Sequence, residues 1–193
     1  VRMTPQFHLA SKSPRRQELL RQLGLRFEVR AADIVEQPQP GEGAAEYARR
    51  MALEKARAAQ AISVTPLPLL GADTDVVLDG RILGKPRDRD DALAMLAALS
   101  SREHEVYSAV AMVQGAREEI ALSVTRVRFG VIAPDAAARY WASGEPVDKA
   151  GAYGIQGLGA QFVKEIHGGY SGVVGLPLYE TVGLLQRFGI FVL

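Results

Sequence analysis

Two long strand-like runs, residues 104–113 and 119–132, joined by a turn near Gly115, narrow the folds open to this chain. On both sides of that pair, helical segments interleave with strands. A tight hairpin gives antiparallel neighbours, whereas a strand–helix–strand crossover gives parallel ones. One sheet that contains both must be mixed, so the expected class is α/β with a mixed central β-sheet flanked by helices.

The remaining segments fill in that plan. Residues 7–10 read as a short strand. Ser13 is a good N-cap and Pro14 a good first helical residue for a helix that carries Leu19, Leu20 and Leu23 and stops at Gly24. A strand over 26–30, a Pro/Gly-rich loop over 37–43 and an Ala-rich helix over 44–62 follow. An apolar strand over 67–72 is expected to end at Asp73-Thr74-Asp75. A hairpin over 76–83 turns at Asp79-Gly80, and a helix covers 88–99. Beyond the long pair, Pro134 opens a helix to about 143, and residues 150–159 form a loop with four glycines in ten positions. A strand over 162–166, a turn at Gly168-Gly169 and a helix over 177–188 complete the chain. No repeat divides it, so 1–193 is expected to be a single domain.

Composition limits the partners. The 193 residues carry 23 cations against 22 anions, a formal charge of +1. That balance argues against a broad nucleic-acid or membrane-binding surface and leaves room only for a local basic pocket. No apolar run approaches the roughly 20 residues of a membrane span, and the start, Val1-Arg2-Met3-Thr4-Pro5-Gln6, has no apolar stretch of signal-peptide type. Without cysteine, thiolate metal sites, disulfides and Cys nucleophiles are excluded, and a cytoplasmic location is the default.

Four segments carry chemistry. Ser11-Lys12-Ser13-Pro14-Arg15-Arg16 places two Arg in a helix first turn, where they oppose the dipole unless an anion such as phosphate binds there. A solvated, Ser-capped helix start is the plainer alternative. Asp73-Thr74-Asp75 puts carboxylates beside an apolar strand, suited to holding Mg²⁺ or activating water, or else to a simple turn. Lys55 on the Ala-rich helix and Lys85 after the hairpin are ordinary surface residues if taken alone. In Gly151-Ala152-Tyr153-Gly154-Ile155-Gln156-Gly157-Leu158-Gly159, Tyr153 would stack on a flat ligand and Gln156 hydrogen-bond to it. Alternatively, Tyr153 and Ile155 fill core. The three histidines, His8, His104 and His167, show no metal-ligand spacing and read as structural.

Together these segments resemble one family. Leu9-Ala10-Ser11-x-Ser13-Pro14-Arg15-Arg16, Glu54-Lys55-Ala56, Gly71-Ala72-Asp73-Thr74, Gly84-Lys85-Pro86, the run from Asp148 to Gly157, and Val174-Gly175-Leu176-Pro177 are similar, in order, to the motifs of the Maf (septum-formation-inhibitor-like) nucleoside triphosphate pyrophosphatases. The resemblance spans about residues 7–188. It implies an elongated α/β fold of the inosine-triphosphatase-like kind, with two lobes and a cleft, often in a homodimer. It also implies metal-assisted hydrolysis of a nucleoside triphosphate to the monophosphate and pyrophosphate, with Mg²⁺ or Mn²⁺, in a house-cleaning or cell-division-linked role. Carried over position by position, Asp73 matches the proton acceptor, and Arg15, Thr74 and Gln156 match specificity positions. Ser11, Arg16, Lys55 and Lys85 match phosphate-site residues, and Glu36, with Asp73, matches a metal-associated position. Asp75 departs from the aliphatic residue usual there, as a surface quirk or a change in metal affinity.

Gln156 points to dTTP and UTP, because a primary amide matches the donor–acceptor edge of thymine and uracil. The sister group that the resemblance associates with 7-methyl-GTP typically has Glu at this place. Two other readings compete. Asp73 to Gly80 also looks like the nucleophile motif of haloacid-dehalogenase-type phosphatases, and a non-catalytic nucleotide-binding regulator of septum formation would use the same pocket without turnover.

Overall fold

The computed structural model describes residues 4–192; Val1, Arg2, Met3 and Leu193, which the single-domain reading includes, lie outside the described residues. The elements follow the chain as β1 (Phe7–Leu9), α1 (Pro14–Gln22), β2 (Phe27–Val29), α2 (Ala44–Ala61), β3 (Leu69–Leu78), β4 (Arg81–Leu83) and α3 (Arg89–Leu99). Then come β5 (Glu103–Gln114), β6 (Arg117–Phe129), α4 (Pro134–Ala142), β7 (Val163–His167), α5 (Tyr170–Val174) and α6 (Leu178–Arg187). All seven strands join one sheet of order β2-β1-β3-β5-β6-β7, with β4 also paired to β3. β1 is parallel to both β2 and β3, and every other pairing is antiparallel. The sheet is mixed, as the long hairpin requires, with β5 and β6 paired over twelve positions from Glu103↔Arg128 to Gln114↔Arg117.

The expected 67–72 strand is longer than its apolar run. β3 continues straight through Asp73, Thr74 and Asp75 to Leu78, because β5 pairs with it at every position from Leu69 to Val77. The ladder on that side overrides the turn propensity of the acidic triplet. The other edge of β3 is interrupted. β1 pairs with it only at Leu69 and Leu70, and β4 only from Val76 to Leu78. Among the described residues, no strand covers 71–75 on that edge, and the cleft opens there. Asp79 (φ 50°) and Gly80 (φ 74°) form the two-residue turn into β4, both in the left-handed region that a primed hairpin turn demands. Short α5, where only a turn was expected, lies between Gly168-Gly169 and Gly175.

Most of the core lies on one face of the sheet, where Leu19 and Leu20 of α1, Leu96 and Leu99 of α3, Tyr140 of α4 and Leu184 and Leu185 of α6 join Leu70, Val110, Met112 and Phe129. On the opposite face, Ala48 and Ala52 of α2 meet Ala109 and Ala111. This contact is unusually close because it is built of small residues. A Cβ on Gly71 would overlap the Ala52 carbonyl, so only glycine lets α2 lie this near β3.

At the base of the glycine-rich segment, His104, Phe129 and Tyr153 pack edge to face, with centroids 4.7–5.4 Å apart. His104 Nε2 and the Tyr153 hydroxyl are 2.8 Å apart, and burial pushes the imidazole pKa down to about 4. The unfolded chain therefore takes up a proton near pH 6.5, whereas the folded chain resists it until about pH 4. His104 should thus withdraw about 3 kcal/mol of stability as the pH falls from 7 to 4. Urea midpoints of wild type and His104→Gln over that range should show a shallower loss in the variant. Parallel curves would remove His104 as the cause.

Candidate functional site

Helix α2 places Lys55 over the Asp73–Asp75 face of β3. Lys55 Nζ donates to Asp73 Oδ1 at 2.6 Å and to Glu36 Oε2 at 2.8 Å, and both Lys55 and Asp73 are largely buried. Asp75, two residues along the same face, is buried too, which corrects its reading as a surface quirk. Burial and the neighbouring Asp73 raise the Asp75 pKa well above the usual carboxylate range, against the pull of Lys55 and Arg16. Asp75 therefore favours its protonated form.

Thr74 points to the other face, where its side chain meets its cross-strand neighbour Ser108, Oγ1 to Oγ at 2.8 Å. The same hydroxyl donates to the Gly175 carbonyl at 3.2 Å and lies 3.4 Å from Arg16 Nη2. Arg16 reaches in from the first turn of α1. Its Nε donates to the Gly175 carbonyl at 2.8 Å and its Nη1 to Ser11 Oγ at 3.2 Å. Gly175 ends α5 at φ 136°, a conformation that leaves its carbonyl free to accept both bonds and that a side chain there would resist. The Val-Gly-Leu-Pro motif thus acts by orienting Arg16.

A cleft of about 980 Å³ connects these groups. Ser11, Arg15, Arg16, Glu36, Lys55, Asp73, Thr74, Lys85 and Gln156, every site residue expected from the sequence, lines it. They are not equally available. Lys55 is held by two carboxylates, and Arg15 lies 3.9 Å from Asp148. Arg16 and Lys85 form no ion pair with any described residue, although Asp73, Glu36 and Asp75 lie near enough to Arg16 to act on its charge. Gln156 stands exposed at the rim. The hydrogen bonds of its loop run from backbone N–H groups to Tyr140 and Glu145, and its own amide takes no part in them. Tyr153, in contrast, is buried against His104, so its role is packing rather than stacking on a ligand.

The donor set suits a hard divalent cation. Glu36 and Asp73 present carboxylate oxygens to the cleft, and the buried Asp75 Oδ2 has no hydrogen-bond partner. Among the described residues, no three carboxylate or imidazole groups come close enough to enclose a metal by themselves.

The haloacid-dehalogenase reading does not survive this geometry. Asp73 lies inside a strand rather than at its end, and Asp79 is a hairpin-turn residue whose carboxylate pairs with Arg102 at 2.7 Å. Ser108, Tyr140 and Glu145 also bear on the site, and none of them stands in a motif of the sequence. The first could have been found only from the strand register. The other two lie just ahead of the Asp-Lys-Ala-Gly motif, but no local pattern marks them.

Comparison with known proteins agrees with the geometry. A family model described as "Maf-like protein" matches residues 6–188. A dTTP/UTP pyrophosphatase of Saccharophagus degradans is 51% identical over 184 residues, covering 94% of this chain and 88% of that protein. The dTTP/UTP pyrophosphatase of Bordetella parapertussis is 53% identical over 196 residues, covering 97% and 95%. The Staphylococcus aureus Ham1 protein structure superposes with a TM-score of 0.51 at 16% identity, covering 94% and 96%, which speaks to the fold alone.

Proposed function

The chain belongs to the Maf-like family, and from that premise we propose that it hydrolyses dTTP and UTP to the monophosphate and pyrophosphate. The observation that carries the reading is the convergence on one cleft of two unpaired cations, a Lys-bound carboxylate and an unused primary amide. A nucleoside triphosphate brings about four negative charges, a base edge and an α-phosphorus open to water. Arg16 and Lys85 bind the phosphate oxygens, with Arg16 offering a fork already oriented by Ser11, Thr74 and Gly175. Asp73 takes the proton of the attacking water, and Lys55 holds that carboxylate in place. Glu36 and Asp73 would hold a bound Mg²⁺ or Mn²⁺, which supplies charge neutralisation at the phosphate oxygens. A homodimer in the cytoplasm belongs to the same reading and is supported by the family resemblance. No helix among the described residues is long and apolar enough to cross a membrane.

The test is a pyrophosphate-release screen of the purified chain over canonical and modified nucleoside triphosphates with Mg²⁺ or Mn²⁺. Turnover should be much faster on dTTP and UTP than on 7-methyl-GTP. Gln156→Glu places an acceptor against the O4 or O2 acceptors of the pyrimidine. A mispaired buried polar group is worth about 1–3 kcal/mol, so the preference should fall roughly ten- to hundredfold. Binding without pyrophosphate release would instead favour the regulator, and fastest turnover of 7-methyl-GTP would overturn the base choice.

A further inference from the structure

The glycine-rich loop is held by a side-chain clasp outside the motif that named it. Glu145, in the turn after α4, accepts hydrogen bonds from the Leu158 N–H at 2.8 Å and the Gly159 N–H at 3.0 Å. Its Oε1 also accepts the Tyr140 hydroxyl at 2.6 Å, and that hydroxyl oxygen accepts the Gly154 N–H at 3.1 Å. Both ends of the 154–159 segment are thereby tied to one pair of side chains, with Gln156 in the free middle. Burial works against the Glu145 charge, but the Tyr140 hydroxyl and the two backbone N–H groups outweigh it and hold its pKa below the usual range. The Lys149 ammonium closes the turn by donating to the Glu145 carbonyl at 2.7 Å.

The glycines answer to the same contacts. A Cβ on Gly157 would overlap the Glu145 carboxylate, and one on Gly159 would fall 2.6 Å from both the Tyr140 hydroxyl and the Gly154 carbonyl. One on Gly154 would fall 2.6 Å from Lys149 Cε. These three glycines therefore let the backbone close on the clasp; no bound phosphate is needed to explain them. A glycine-rich segment without such ties would sample many conformations, and a base-reading amide must be held within about half an ångström to discriminate.

We propose that Glu145, together with Tyr140, is the positioning residue that sets Gln156 for base selection. The inference rests on the proposed reading of Gln156. It assigns Glu145 no contact with substrate.

The experiment measures kcat/KM for dTTP and dGTP on wild type, Glu145→Gln and Tyr140→Phe, each variant altering one polar atom. Glu145→Gln turns an amide N–H toward a backbone N–H, and Tyr140→Phe leaves the Gly154 N–H unpaired. Each should lower the dTTP:dGTP ratio about tenfold, chiefly through a higher KM for dTTP. In a Gln156→Ala background, neither should lower it further, because the clasp acts through that residue. Circular dichroism checks the fold; should Glu145→Gln not fold, Tyr140→Phe alone decides. A ratio kept within about twofold by folded variants, or losses that simply add to that of Gln156→Ala, would overturn the clasp while leaving the function intact. A wild-type chain without preference for dTTP would overturn the base reading and the clasp with it.

Discussion

Asp73→Asn should reduce pyrophosphate release from saturating dTTP by about a hundredfold or more, the scale of losing a general base. Asn keeps the size of the side chain and one oxygen for Lys55, but it cannot take a proton from water. Removing one member of a buried ion pair ordinarily costs about 3–5 kcal/mol of stability. Here two neighbours soften that cost. Lys55 retains Glu36 at 2.8 Å, and Asp75 loses the adjacent charge that helps keep it protonated. The negative charge can therefore move two residues along the strand, where it can still face Lys55. The variant should fold, as judged by its thermal melt, and yet be nearly inactive. A folded Asp73→Asn enzyme turning over within about tenfold of wild type would remove Asp73 as the proton acceptor.

Arg16→Ala should lower kcat/KM for dTTP by roughly ten- to a hundredfold, and by clearly more than Arg15→Ala. The two residues are adjacent and chemically identical, so their difference lies in tertiary partners. Arg15 sits 3.9 Å from Asp148, a carboxylate that also takes Lys149 at 2.9 Å, and has none of the hydrogen bonds that fix Arg16. Arg16 is fixed by neutral oxygens of Ser11, Thr74 and Gly175 and makes no ion pair with any described residue, which places its guanidinium for the ligand. A hydrogen bond to a charged group contributes about 1.5–3 kcal/mol, which sets the expected range. Arg16→Lys should recover only part of the loss, because an ammonium carries the charge but not the planar fork. Equal effects at Arg15 and Arg16, or kcat and KM both unchanged in folded Arg16→Ala, would refute this assignment.

Much of this protein is local and so could be read from the chain. Ser13-Pro14 starts α1, Asp79-Gly80 turns the hairpin, and the long pair around Gly115 makes the sheet mixed, each through short-range backbone preference or side-chain periodicity. The ordered motifs, through the family they resemble, also pointed to Ser11, Arg16, Lys55, Asp73, Lys85 and Gln156, all of which line the cleft.

What the chain could not reveal was which of these groups are free to act. Asp73-Thr74-Asp75 has the composition of a turn, yet β5 holds it in an extended strand, so alternation sends Asp73 and Asp75 to one face and Thr74 to the other. The small residues of α2 and β3 then bring Lys55 onto the carboxylates, and burial makes Asp75 hold its proton. Likewise Glu145 has no sequence signature as a loop clasp, because the N–H groups it holds lie thirteen and fourteen residues on and meet it only through the fold. Residue type determined what chemistry was available. Pairing, burial and charge compensation depend on neighbours remote in sequence, which meet once the chain has folded.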